Sequence, residues 1–201
     1  MLDARLRRLI DPPLDRLCGP LARYGVSANL ATIVGFAIGL GAMAAIAHRA
    51  YGLGLGLLLL NRLFDGLDGA LARRSALTDL GGFLDIVGDF IIYSGVPLAF
   101  ALADPGANAL PAAFLIFSFI GTGTSFLAYA IMAAKRGLTS DLRGRKSLYY
   151  LGGLTEGTET IVVFVLACLW PAWFPLVAWV FGGLCWLTTA TRVAIAWQTL
   201  R

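Results

Sequence analysis

Four aspartates lie in two neighbouring segments whose other residues are mostly apolar. Asp65 and Asp68 are three residues apart and Asp85 and Asp89 are four apart, so each pair shares one face of a helix. If the chain folds back midway between the pairs, the carboxylates converge within roughly 6 Å along the helix axes, at about 1.5 Å per residue. Each unpaired carboxylate would cost several kcal/mol in hydrocarbon. The four aspartates therefore need a compensating partner.

Three kinds of partner could compensate this charge: shared protons, arginine side chains or divalent metal ions. Arg62 and Arg73 offset only part of the four negative charges, whereas two Mg²⁺ or Mn²⁺ ions would balance them. Two hard cations that clamp a pyrophosphate are a recurrent arrangement for phosphoryl transfer. We therefore favour a metal site over a set of structural buried acids.

The composition predicts that these residues belong to a membrane protein. Of 201 residues, 58% are hydrophobic and 14% are charged, with a mean hydropathy of +0.77. Soluble domains have about 45–50% apolar and about 25% charged residues. At about 20 residues per crossing, the length allows six transmembrane helices. Disorder, a collagen-like fibre and a disulfide scaffold are excluded by the same composition, which includes only three cysteines.

The expected fold class is all-α, a polytopic membrane protein with six transmembrane helices preceded by an N-terminal amphipathic interfacial helix. Residues 2–24 alternate arginines with leucines, which suits the headgroup layer. We divide the chain into this amphipathic juxtamembrane segment, 1–26, and a six-helix membrane domain, 27–201. The first span is expected at 30–47 and the second from about 51, and the third carries Asp85 and Asp89 and ends at 103. The fourth is expected within 108–134 and the fifth at about 153–170, and the sixth ends near 192–197.

The basic residues predict the orientation of the chain in the membrane. With the N-terminus in the cytoplasm, 14 of the 16 Lys and Arg residues lie inside or at the inner boundary, and only Arg49 lies outside. Both termini and the four aspartates would then face the cytoplasmic side of a bacterial-type inner or plasma membrane. The positive charge is thereby assigned to the membrane and its lipids, and no nucleic-acid partner is expected.

The spacing of the aspartates resembles the signature of the CDP-alcohol phosphotransferases, also called CDP-alcohol phosphatidyltransferases. The matching residues are Asp65-x-x-Asp68-Gly69-x-x-Ala72-Arg73 and Gly81-x-x-x-Asp85-x-x-x-Asp89. Seven residues separate Arg73 from Gly81 where the family usually has eight, and the shortening falls in the turn. The six-helix architecture of the family agrees with the predicted spans.

This resemblance implies metal-dependent transfer of a substituted phosphate from a CDP-alcohol, such as CDP-diacylglycerol, to an acceptor hydroxyl with release of CMP. It implies two Mg²⁺ or Mn²⁺ ions held by Asp65, Asp68, Asp85 and Asp89, with Asp89 also acting as the general base. It further implies that a second set of residues contacts the CDP part: Asn29, Thr32, Gly69, Arg73 and Thr78. The implied partners are a lipid donor, a small or lipid alcohol acceptor, membrane lipids and a second copy in a homodimer.

Several alternatives stay open in the sequence. The buried carboxylates could serve an ion- or proton-coupled transporter, or a silent homologue could bind nucleotide or lipid without turnover. Arg62 could pair with an aspartate or with Glu156 or Glu159, and these two glutamates could line an acceptor pocket or cap a helix. The acceptor could be serine, glycerol phosphate, inositol phosphate or a phospholipid, and among these we favour glycerol phosphate.

Overall fold

The computed structural model describes Leu14 and residues 18–20, 26–74, 78–137 and 153–201. This part of the chain forms six α-helices and one 3-10 turn, and it contains no strand. The elements are α1 (Ala28–Ala47), α2 (Tyr51–Arg74), α3 (Asp79–Ala103), α4 (Pro105–Lys135), α5 (Gly157–Leu169), the 3-10 turn (Pro171–Trp173) and α6 (Phe174–Thr199). The predicted all-α class is confirmed, and one helix falls on each predicted span.

In the part of the chain that the structure describes, four helical stretches are long and apolar enough to cross a membrane: Ala28–Ala47, Asp79–Ala103, Pro105–Lys135 and Pro171–Thr199. The chain is therefore a polytopic integral membrane protein. The other two helices do not meet this criterion of length and hydropathy, because α2 carries Asp65, Asp68 and three arginines, and α5 has only 13 residues.

Some predictions fall on residues outside the described ranges. These include nearly all of the amphipathic segment 1–26, the fold-back point at 75–77, and most of the predicted basic loop between the fourth and fifth spans, 135–146, of which residues 138–146 are not described. The division of the chain at residue 26 stays a prediction.

The packing order brings α1 onto the hairpin that carries the aspartates. α1 packs against both α2 and α3, whereas α4 packs against α3 and α6. Gly35 lets α1 approach α2 closely, because a Cβ at this position would lie 2.8 Å from Phe64 Cβ. A larger residue at this position would therefore force the two helices apart.

A stack of three aromatic rings lies at the end of the bundle opposite to the aspartates. The ring of Phe100 stacks on Phe174 with centroids 4.4 Å apart, and on Tyr51 with centroids 5.6 Å apart. At this end Arg49 Nε also donates to the carbonyl of Ala103 at 2.7 Å. Buried aromatic surface and this hydrogen bond hold one end of the helices together, while polar side chains converge at the other end.

Candidate active site

Three of the four predicted aspartates meet where side chains of α2 and α3 converge, and both of these helices pack against α1. Asp65, Asp68 and Asp85 each offer one carboxylate oxygen, and these atoms all lie within 4.8 Å of one another. Asp68 is buried, Asp65 is half-buried and Asp85 is exposed. Oxygen ligands bind Mg²⁺ or Ca²⁺ at about 2.0–2.6 Å, so ligands on opposite sides of one ion can be nearly this far apart. We call these three residues the acidic cluster, and their donor set fits one hard divalent cation.

Helix α1 contributes a hydroxyl group to the acidic cluster. Thr32 Oγ1 donates to Asp68 Oδ2 at 2.6 Å. This bond gives Oδ2 of the most buried carboxylate a hydrogen-bond donor and fixes the orientation of Oδ1 of Asp68. The structure therefore places Thr32, expected at the nucleotide, in direct contact with an expected metal ligand.

Asp89 lines the same cleft as the acidic cluster but has different partners. Arg62 Nη1 donates to Asp89 Oδ1 at 2.8 Å, and the hydroxyl of Tyr93 donates to Asp89 Oδ2 at 3.4 Å. Arg62 Nη1 also lies 3.7 Å from Asp65 Oδ2. The fourth aspartate is thus tied to the acidic cluster through an arginine.

The guanidinium group of Arg62 is anchored on its other side. Arg62 Nε donates to Asn61 Oδ1 at 2.9 Å, and Asn61 Nδ2 in turn donates to the carbonyl of Gly35 at 2.8 Å. The carbon Cζ of Arg62 lies 5.7 Å from the ring centroid of Tyr93. Only 16% of the Arg62 side chain is exposed. Among the open pairings, the structure shows the one between Arg62 and the aspartates.

Glu156 and Glu159 cap the beginning of α5. Glu159 Oε2 accepts a hydrogen bond from the backbone N–H of Glu156 at 3.1 Å, and the Glu156 side chain accepts one from the backbone N–H of Glu159 in return. Glu156 Oε1 also accepts one from the N–H of Gly153, which precedes the helix, at 3.1 Å. A capping box of this kind satisfies backbone donors that the first turn of a helix leaves without intrahelical partners. The structure thus supplies a capping role for both glutamates.

The remaining predicted residues lie at the end of α2 and at the beginnings of α1 and α3. A Cβ placed on Gly81 would lie 3.0 Å from Thr78 Oγ1 and 3.1 Å from Asn29 Oδ1, so these side chains meet at this glycine. Thr78 Oγ1 also accepts a hydrogen bond from the N–H of Gly81 at 3.0 Å and thereby caps α3. Arg73 Nη1 lies 3.5 Å from the Cβ position of Gly69. Asn29 is distant in sequence from Thr78 but meets it at Gly81, whereas Gly69 and Arg73 follow Asp68 on α2.

Sequence reasoning missed two residues of this site, Tyr93 and Asn61. Tyr93 follows Asp89 by four residues, so it lies on the same helix face one turn further on. Asn61 precedes Arg62 at the point where an apolar run becomes polar. Both signals are present in the sequence, but the partners of these residues depend on how three helices pack.

Comparison with known proteins identifies relatives across the whole chain. The family model for CDP-alcohol phosphatidyltransferase matches residues 26–195. "Inner membrane protein YnjF" of Escherichia coli is 54% identical over 201 residues, which cover 100% of this chain and 98% of the relative. "Archaetidylinositol phosphate synthase" of Pyrococcus horikoshii is 29% identical over 191 residues, which cover 94% of each chain.

Solved structures share the fold. A phosphatidylinositol phosphate synthase (PgsA1) of Mycobacterium tuberculosis with CDP-DAG bound is similar with a TM-score of 0.74 at 20% identity, covering 92% of this chain and 93% of that chain. The same enzyme in complex with manganese and citrate also has a TM-score of 0.74, again at 20% identity, covering 92% of this chain and 88% of that chain. The matching family model, supported by this shared fold, shows that the chain belongs to the CDP-alcohol phosphatidyltransferase family and is a transferase of phospholipid synthesis.

Proposed function

We propose that this chain transfers a phosphatidyl group from CDP-diacylglycerol to the hydroxyl of an alcohol and releases CMP in a reaction that depends on divalent cations. One observation carries the proposal: carboxylate oxygens of Asp65, Asp68 and Asp85 approach within 4.8 Å of one another in a cleft that Asp89 also lines. Family membership supplies the reaction class, and the acidic cluster supplies the chemistry that a diphosphate donor requires.

We propose two Mg²⁺ or Mn²⁺ ions as cofactors. The acidic cluster would hold the first ion, and Asp65 and Asp89 would contribute to the second. When bound, the ions neutralise the diphosphate and stabilise the negative charge on the departing CMP. A donor set made only of carboxylate oxygens suits hard cations, and it is unlike the His and Cys sites typical of zinc.

Asp89 is the proposed general base. Its carboxylate accepts the proton of the acceptor hydroxyl while the acceptor oxygen bonds to the phosphorus of the phosphatidyl group and the bond between that phosphorus and CMP breaks. A base must lie within about 2.6–3.2 Å of the hydroxyl oxygen, so its orientation matters. Arg62 and Tyr93 hold the two carboxylate oxygens of Asp89 and provide that orientation.

The CDP part of the donor is proposed to lie at the end of the hairpin. Asn29, Thr32 and Thr78 would offer hydrogen-bonding groups there, and Gly69 would leave room for the donor beside the helix. Arg73 would contact a phosphate or carbonyl oxygen through its planar guanidinium group. The proximity of Asn29 to Thr78 at Gly81 supports a common binding surface for these residues.

The membrane arrangement extends the same proposal. We propose that α2 and α5 also cross the membrane, which gives six spans, with both termini and the active site on the cytoplasmic side. The distribution of Lys and Arg supports this orientation. A homodimer is proposed from the family resemblance, and its mass in detergent-corrected light scattering tests it directly.

Four alcohols are candidate acceptors. Relatives in Pyrococcus horikoshii and Methanothermobacter thermautotrophicus, 29% and 28% identical, are both named archaetidylinositol phosphate synthase. These names favour inositol phosphate as an acceptor, in addition to glycerol phosphate, which the sequence analysis favoured. Serine and a phospholipid complete the set of acceptors.

The test is CMP release from CDP-diacylglycerol by the purified full chain in lipid nanodiscs, with each acceptor and with Mg²⁺, Mn²⁺ or EDTA. We expect metal-dependent CMP release with one acceptor, and mass spectrometry of the lipid product identifies that acceptor. Asp68→Asn should abolish the reaction. Asp104→Asn is the matched control, because Asp104 caps α4 far from the cleft through a bond to the N–H of Ala107, and asparagine preserves such caps. Absence of metal-dependent CMP release with every acceptor would overturn the proposal.

A further inference from the structure

We propose that Arg62 is a built-in counter-cation of the metal centre, so that the site binds one divalent ion tightly and a second ion at least about tenfold more weakly in the absence of substrate. This inference rests on the proposed function, because it takes Asp65 and Asp89 as ligands. It assigns Arg62 a positioning role: the guanidinium group holds Asp89 ready and competes with a cation for it.

The position of the guanidinium group is the first observation. Arg62 Nη1 lies 2.8 Å from Asp89 Oδ1 and 3.7 Å from Asp65 Oδ2. One nitrogen therefore pairs with the two carboxylates proposed to hold the second ion, and one of these, Asp65, also belongs to the acidic cluster. A divalent ion shared by Asp65 and Asp89 would need the space that this nitrogen occupies. Arginine and the second cation are therefore alternatives for the same oxygens.

The anchoring of Arg62 is the second observation. Its Nε bonds to Asn61, which is itself bonded to the carbonyl of Gly35 on α1, and its Nη1 lies 3.5 Å from the hydroxyl of Tyr93. A guanidinium group that is held from several sides and only 16% exposed cannot leave Asp89 without loss of these contacts. Displacement by a second ion therefore has a free-energy cost that a mobile surface arginine would not impose.

The charge balance is the third observation. Four carboxylates carry a charge of −4, and Arg62 reduces it to −3. One divalent ion leaves −1, and a second would produce +1 before any anionic donor arrives. A positive charge repels a divalent cation more strongly the closer the two lie. Arg62 therefore lowers the affinity for the second ion far more than for the first, which lies in the acidic cluster.

The experiment counts Mn²⁺ ions bound to the substrate-free full chain by electron paramagnetic resonance of the free ion. Wild type is compared with Arg62→Met and Arg62→Gln, which remove the charge, and with Arg62→Lys, which retains it. Arg49→Met is the matched control, because it removes one positive charge about 20 Å away along α2 at 1.5 Å per residue. Size-exclusion profiles and thermal unfolding verify that each variant is folded.

We expect one tight and one weak Mn²⁺ in the wild type. Removal of the Arg62 charge should raise the affinity of the weak site about tenfold or more and change the tight site less than threefold, whereas Arg62→Lys and Arg49→Met should resemble the wild type. A purely structural role for Arg62 would instead weaken both sites in parallel.

Two results would overturn the inference and leave the proposed function standing: two equally tight ions in the wild type, or a second site that both charge-removing variants leave unchanged. A different result would count against the proposed function itself, namely no Mn²⁺ binding, or binding that Asp68→Asn does not alter. The two failures are therefore distinguishable in one titration.

Discussion

The hydroxyl of Thr32 on α1 donates to Oδ2 of Asp68 on α2 at 2.6 Å. This bond joins α1 to the acidic cluster. Thr32 could orient Asp68 or contact the nucleotide, and these two roles can be told apart by experiment. A residue that orients a metal ligand affects ion binding even when no nucleotide is present. Residues that orient metal ligands typically contribute about 10–100-fold to metal affinity or activity.

Thr32→Val removes this hydrogen bond with little change in volume. We expect Mn²⁺ affinity of the substrate-free chain to fall about tenfold or more, and CMP release to fall with it. Thr32→Ser keeps the hydroxyl and should stay within about threefold of the wild type. A Thr32→Val variant that binds Mn²⁺ normally but shows a raised KM for the donor would contradict the orienting role and favour direct nucleotide contact.

Asp89→Asn tests the general base. Asparagine keeps the shape of the side chain but does not accept the proton, so kcat should fall by about 10²–10⁴-fold. Tight Mn²⁺ binding should survive, because the acidic cluster still supplies three carboxylates. Steady-state CMP release and Mn²⁺ titration on the same preparation measure both effects. Retention of kcat within about threefold would remove Asp89 from its proposed role.

Tyr93→Phe tests the weaker of the two contacts to Asp89. The hydroxyl lies 3.4 Å from Asp89 Oδ2, a long hydrogen bond, whereas Arg62 Nη1 is 2.8 Å from Oδ1. We therefore expect only a two- to fivefold decrease in kcat, and a change of about 1 kcal/mol or less in the free energy of unfolding. A loss as large as that of Asp89→Asn would show that Tyr93 acts in the reaction directly.

Glu159→Ala tests the capping interpretation of the α5 terminus. The backbone N–H of Glu156 loses its partner, so the free energy of unfolding should fall by about 0.5–2 kcal/mol. Glu159→Gln keeps an acceptor oxygen and should lose much less. Turnover of the folded protein should change less than twofold in both variants. A raised acceptor KM without loss of stability would instead place Glu159 in an acceptor pocket.

Much of this architecture could be predicted from the sequence because it follows from local patterns. Apolar runs of nearly membrane-spanning length give six helical segments, and the spacings of three and four residues place each aspartate pair on one helix face. The motif from Asp65 to Asp89 led to the correct family. The start of α5 at Gly157, four residues later than the predicted span, reflects the capping residues that precede it.

The partners of the site residues depend on tertiary packing and were harder to predict from the sequence. The sequence placed Asp89 with the other aspartates, but the competition among Asp89, Asp65 and Tyr93 for Arg62 depends on the rotation of α3 against α2. The bond between Thr32 and Asp68 likewise requires α1 to lie close to α2, which Gly35 permits. Such contacts determine which helices pack together, and they produce no periodic pattern in a single sequence.

The central claim is that Asp65, Asp68 and Asp85 hold a divalent cation, and anomalous X-ray scattering from crystals soaked in Mn²⁺ tests it most directly. We predict an anomalous peak within about 2.0–2.6 Å of a carboxylate oxygen of each of these three residues. The peak should vanish in Asp68→Asn and persist in Asp104→Asn. An empty cleft at saturating Mn²⁺, or a manganese ion bound only at other residues, would contradict the account.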